Sequence, residues 1–162
     1  MTFIFTKLNE QFNRLINKVA RLPALYLVLS ALIADIIISC IFSYILFPDN
    51  TSGPDTQTTA FDFLLVVVCA PILETWFCQS WLIKTTLKYT NNNQLLAVLV
   101  SAIIFGLGHS YSVAYIMKGT IAGMIYAVLY VSMVTKQKDA FFYVAATHGI
   151  YNLIGFIITA FE

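Results

Sequence analysis

Four polar side chains stand inside long apolar stretches of this chain: Glu74, His109, His148 and Asn152. A carboxylate, two imidazoles and a primary amide are the types that hydrolysis of an acyl bond needs. One group activates a water, another holds a proton, and the rest donate to the oxyanion. His148 and Asn152 are four residues apart, so a helix presents them on one face. Glu74 follows Pro71 by three residues. A proline within a helix removes a backbone hydrogen bond and loosens the turn, which admits water beside the carboxylate.

Other chemistries compete for the same residues. Cys78 lies one turn beyond Glu74 and could act as a nucleophile, but apolar surroundings disfavour the thiolate that such a role requires. Two histidines and a glutamate could hold a divalent metal, with zinc the obvious candidate. The H-E-x-x-H spacing of zinc proteases is absent, and the expectation is a site without a cofactor. A single histidine in an apolar helix often does no more than hydrogen-bond a neighbouring helix. Asp35 and Lys118 are the remaining charged residues deep in apolar stretches, read either as an interhelical ion pair or as water-facing residues of a cavity.

The elements that must position these groups follow from composition. Of 162 residues, 59% are hydrophobic and 10% charged, far from the balance of a water-soluble domain. A helix crossing the roughly 30 Å hydrocarbon core needs about 20 apolar residues, and the apolar runs are continuous rather than alternating, which excludes a barrel. Residues 24–47, 60–83, 95–109, 111–134 and 140–161 read as spans. Residues 3–22 put Phe5, Leu8, Phe12, Leu15, Ile16 and Val19 on one face and Lys7, Arg14, Lys18 and Arg21 on the other, as an interfacial helix on anionic lipid does. The expected fold is therefore an all-α transmembrane bundle of about five spans plus an amino-terminal amphipathic helix, with residues 1–22 as the interfacial unit and 23–162 as the membrane domain.

Charge placement gives an orientation. All of the nine basic residues except Lys118 fall on one side, whereas the loop Pro48-Asp49-Asn50-Thr51-Ser52-Gly53-Pro54-Asp55 has none. The positive-inside rule then puts the amino terminus and the Asn91-Asn92-Asn93 turn in the cytoplasm, and the Pro48 to Asp55 loop outside. The expected location is a bacterial inner membrane. A net charge of +1 gives no field for a nucleic-acid partner. Ile37-Ile38-Ser39-Cys40 resembles a lipoprotein processing box, but the apolar run continues past Cys40 and Asp35 interrupts it, so an uncleaved anchor is expected. Cys69 and Cys78 lie about 13 Å apart by helical rise, so no disulfide framework is expected.

Depth is harder to reconcile. Counted from Lys84 and from Asp139, Glu74 and His148 both lie about 14 Å from the cytoplasmic boundary, but His109, counted from Leu95, lies about 20 Å deep. Small-residue spacing at Gly119 and Gly123, and at Ala102 and Gly106, marks close helix packing.

Three segments in order carry a resemblance: Ala70-Pro71-Ile72-Leu73-Glu74-Thr75-Trp76-Phe77-Cys78-Gln79, then Phe105-Gly106-Leu107-Gly108-His109, then His148-Gly149-Ile150-Tyr151-Asn152. They resemble the E-E-x-x-x-R, F-x-x-x-H and H-x-x-x-N motifs of the CAAX-protease and bacteriocin-processing family (CPBP, or Abi), with a core over residues 60–160. The second glutamate of that pattern is Thr75 here and its arginine is Gln79. The family's charged pair thus becomes a neutral pair, four residues apart, that is expected to hydrogen-bond. The resemblance implies an intramembrane endopeptidase in which Glu74 and His109 activate water while His148 and Asn152 bind the oxyanion, with Thr75, Gln79 and Phe105 in support. Its substrate would be a membrane-associated peptide or protein: eukaryotic relatives trim prenylated carboxy-terminal tails, and bacterial ones are linked with peptide maturation, secretion or bacteriocin immunity. The alternatives are a catalytically silent immunity or scaffold protein, and an ion or proton carrier using Asp35, Glu74, His109 and Lys118. The odd number of spans and the lack of an internal repeat weigh against the carrier.

Overall fold

The computed structural model describes residues 2–48 and 58–161, and among them the chain is six helices without a strand. They are α1 (Thr2–Val19), α2 (Ala24–Leu46), α3 (Ala60–Tyr89), α4 (Gln94–Gly108), α5 (Val113–Thr135) and α6 (Ala140–Phe161). Four of them, α2, α3, α5 and α6, are long and apolar enough to cross a bilayer, and the chain is an integral membrane protein. The loop from Asp49 to Asp55, expected on the outer side, lies outside the described residues.

Side chains at the helix starts set most of the boundaries. Thr59 and Asp62 form a reciprocal capping box ahead of α3. Asn93 accepts from Leu96 N–H, Ser112 from Tyr115 N–H and Asp139 from Phe142 N–H, so α4, α5 and α6 each begin on a side-chain oxygen. The turn between α3 and α4 places Asn91 and Asn92 at φ 51° and 60°, a left-handed conformation that asparagine tolerates better than most side chains.

Two expectations change. The third apolar stretch makes a helix of only 15 residues, α4, about 22 Å long and therefore short of a full crossing. It ends where His109 leaves helical geometry, with its N–H turned back to the Gly106 carbonyl. In compensation α3 runs on through Lys84 and Lys88 to Tyr89. The basic residues that suggested a boundary are inside the helix, where long side chains reach the interface from within a span. Glu74 consequently lies as many residues before the end of α3 as His109 lies after the start of α4. The hairpin brings the two to one level, and the mismatch in depth disappears.

α4 and α5 pack most closely. A Cβ on Gly106 would overlap the Thr120 hydroxyl and meet the Ile116 carbonyl at 2.8 Å, and one on Gly123 would meet Phe105 at 2.8 Å. Small residues are needed there because the Gly106 backbone touches that of α5 and the Phe105 side chain fills the space beside Gly123. The core around this contact holds Ala97, Val98, Phe105, Tyr126, Ala127, Met133 and Val144. Ile16 of α1 is buried in the same core, Asn9 accepts from the Leu95 N–H, and Lys136 donates to the Ala20 carbonyl. The apolar face of α1 thus rests partly on the bundle, while Phe5, Leu8 and Leu15 stay exposed.

Candidate active site

The site is built on a helix that is wound unevenly. Leu64–Cys69 and Thr75–Trp81 are wide π-turns, and they flank an α-helical stretch, Ala70–Glu74, with Pro71 in its first turn. In the first wide stretch the Ala70 N–H reaches back to the Leu65 carbonyl. The Val66 carbonyl would then need the N–H of residue 71, which proline does not have. The Asn152 amide takes its place, donating to the Val66 oxygen at 2.8 Å. The next residue pair is also close, since a Cβ on Gly149 would lie 3.1 Å from the Val67 carbonyl. α6 thereby docks against the irregular part of α3 and carries His148 to the level of Glu74.

Glu74 and both histidines converge on one atom. His148 Nε2 lies 3.7 Å and His109 Nε2 3.9 Å from Glu74 Oε2. These separations are longer than direct hydrogen bonds, and the oxygen on which they converge is buried without a hydrogen-bond partner among the described protein atoms. The glutamate side chain is one-third exposed, whereas that of His148 is 5% exposed. His109 Nδ1 lies 2.8 Å from the Phe105 carbonyl, which can only accept, so Nδ1 carries a proton and Nε2 is the ring atom turned toward Glu74. His148 Nε2 faces the same carboxylate oxygen, and its Nδ1 has no hydrogen-bond partner among the described protein atoms.

Glu74, His109, His148, Asn152 and Phe105 all line a cavity of about 250 Å³. Phe105 is buried, and its ring packs on His109 at 4.6 Å and edge-on to His148 at 5.6 Å between centroids. It therefore holds one histidine by its carbonyl and both by its ring. Asp35 and Lys118 also line the cavity, as the second of their two readings has it. Asp35 takes the hydroxyl hydrogen of Tyr126 instead of an ion pair with Lys118.

Thr75 and Gln79 are fully buried but do not pair: neither the Thr75 hydroxyl nor the Gln79 amide has a hydrogen-bond partner among the described protein atoms. A contact four residues apart presupposes ordinary helical pitch, and the wide turns that begin at Thr75 change the register. Cys78 is buried beside the site.

The structure adds Tyr126, which sequence reasoning missed. Its ring stacks on His148 at 4.8 Å and 28° while its hydroxyl is tied to Asp35. A signal was present: Gly119, Ala122, Gly123 and Tyr126 share one helical face, and its small residues mark it as the face in contact. No three His, Cys, Asp or Glu side chains among the described residues are disposed to hold a metal ion.

Compared with models of known protein families, residues 56–154 match the one described as type II CAAX prenyl endopeptidase, Rce1-like. Neither the curated proteins nor the solved structures compared with the chain give a match.

Proposed function

The chain belongs to the Rce1-like type II CAAX prenyl endopeptidase family, and from that premise we propose that it is an intramembrane endopeptidase acting on a membrane-associated peptide or protein through water activated by Glu74. The observation that carries this reading is the convergence of two imidazole Nε2 atoms, at 3.7 and 3.9 Å, on one oxygen of Glu74 in the wall of a cavity.

In the proposed reaction a water between Glu74 and His109 donates one hydrogen to the carboxylate and the other to the free lone pair of His109 Nε2. Its oxygen is thereby turned toward the substrate carbonyl. Glu74 takes the proton as the C–O bond forms, the carbonyl electrons move onto oxygen, and His148 N–H stabilises that charge. Asn152 uses one amide hydrogen on Val66 and has a second for the oxyanion. Collapse of the intermediate breaks the C–N bond, and Glu74 returns its proton to the leaving amine. Water adds across the peptide bond, and nothing is oxidised or reduced.

The orientation that goes with this reading keeps the amino terminus, the Asn91 turn and the basic loop after α5 in the cytoplasm, as the distribution of lysine and arginine supports. One observation favours a silent immunity or scaffold protein instead: the family's charged pair is replaced by Thr75 and Gln79, whose buried polar atoms find no protein partner. Cleavage of a prenylated CAAX peptide by the purified chain, and its loss in Glu74→Gln, separates the two. A Glu74→Gln variant with undiminished biological effect points to the silent protein.

A further inference from the structure

The cavity contains a charge that the proposed hydrolysis does not use. Lys118 lines it together with Glu74 and both histidines. Among the described residues no carboxylate lies within ion-pair distance of its ammonium. Asp35, on the same wall, attracts it only through space and is hydrogen-bonded to Tyr126. What holds the ammonium is the face of Tyr115, 4.4 Å from Nζ to the ring centroid. An aromatic face steadies a cation without neutralising it. A lysine within a span that lines the cavity of the site and has no carboxylate in ion-pair distance is a candidate seat for an anionic ligand.

Its position relative to the reacting groups limits what that ligand can be. The Tyr115 ring in turn stacks on His109 at 30°, 5.8 Å between centroids, so two ring contacts in series separate the ammonium from the imidazole. Those contacts of 5.8 and 4.4 Å reach at most about 10 Å, and an extended chain covers about 3.3–3.6 Å per residue, so no more than about three residues fit between. Gly119, next to Lys118, lets α5 pack closely on this end of α4, since a Cβ there would stand 3.3 Å from both His109 and the Gly106 backbone.

Resting on the hydrolytic reading, we propose that Lys118 binds the free carboxy terminus of the substrate and so fixes the scissile bond a few residues upstream. The carboxylate meets the ammonium over Tyr115, the last residues lie along the cavity, and the carbonyl to be attacked arrives between Glu74 and His148. The fragment that leaves carries this carboxylate with it, and the same ammonium holds it until release. Lys118 is then the residue that makes the site select chain ends over internal segments.

The test compares a prenylated CAAX peptide that has a free carboxy terminus with the same peptide amidated, using the full chain in phosphatidylcholine vesicles, which contain no net-anionic lipid. The wild-type protein should cleave the free acid with a kcat/KM about tenfold to a hundredfold higher than the amide, the range for one charge-assisted hydrogen bond. Lys118→Arg should keep the preference, and Lys118→Gln should bring the ratio to about one. Equal cleavage of acid and amide by the wild type, or a preference that survives in Lys118→Gln, overturns the proposal and leaves the hydrolytic reading standing. Cleavage of neither peptide by the wild type overturns both. If Lys118→Gln does not accumulate, the wild-type ratio together with Lys118→Arg decides.

Discussion

Asn152 is assigned two jobs, and they can be separated. One of its amide hydrogens goes to the Val66 carbonyl, which lacks a backbone donor because Pro71 has no N–H. Replacing Asn152 with alanine leaves that carbonyl unpaired beside apolar side chains. An unpaired buried carbonyl costs about 1–3 kcal/mol in a water-soluble protein, and interhelical hydrogen bonds in membranes average about 0.6 and reach about 1.7 kcal/mol. The Val66 oxygen should lie near the upper membrane value, because the separated helices in a bilayer also contain Pro71 and offer the carbonyl no water. Asn152→Ala should therefore lose about 1–2 kcal/mol of stability, measured by denaturant titration in mixed micelles. In a Pro71→Ala background residue 71 regains its N–H, the carbonyl has a donor within its own helix, and Asn152→Ala should then cost less than about 0.5 kcal/mol. Activity should behave differently, with Asn152→Ala slowing cleavage about a hundredfold in both backgrounds because the oxyanion loses a donor either way. Equal stability losses in the two backgrounds would refute the argument that Pro71 creates the need for Asn152.

Three further outcomes follow from the geometry. His148→Ala should lower kcat about a hundredfold or more with little change in KM, since its N–H acts on charge that develops in the transition state; wild-type turnover would remove it from the mechanism. Gly106→Ala should destabilise the α4–α5 contact by about 1–3 kcal/mol, because the added methyl meets backbone at 2.7 and 2.8 Å, whereas Gly155→Ala, with nothing within 4 Å, should be close to neutral in the same unfolding assay. Tyr126→Phe removes the hydroxyl bound to Asp35 but keeps the ring on His148, so it should reduce kcat less than Tyr126→Ala does, and equal losses would deny the ring its positioning role.

Much of this site was legible in the sequence because the bilayer makes polar residues conspicuous. Glu74, His109, His148 and Asn152 stood out against apolar neighbours. What could not be read was pitch. The wide turns around Ala70–Glu74 have no signature beyond Pro71, yet they supply the orphan carbonyl that fixes Asn152 and they undo the expected pairing of Thr75 with Gln79. Lys84 and Lys88 misplaced the end of α3, since a basic residue marks the interface that its ammonium reaches and not the last turn of its helix. Tyr126 was hidden for another reason: an aromatic in an apolar helix is ordinarily core, and only the small-residue face beside it pointed toward the site.

The central claim is that Glu74 activates water for peptide hydrolysis, and the most direct measurement is cleavage of a prenylated CAAX peptide by the purified chain in proteoliposomes, with Glu74→Gln as its partner. The isosteric amide keeps the size of the side chain and cannot take a proton from water, so the account predicts clear turnover by the wild type and a loss of about a thousandfold or more in the variant, with unchanged thermal stability. Equal turnover in the two proteins, or none in the wild type, would contradict it.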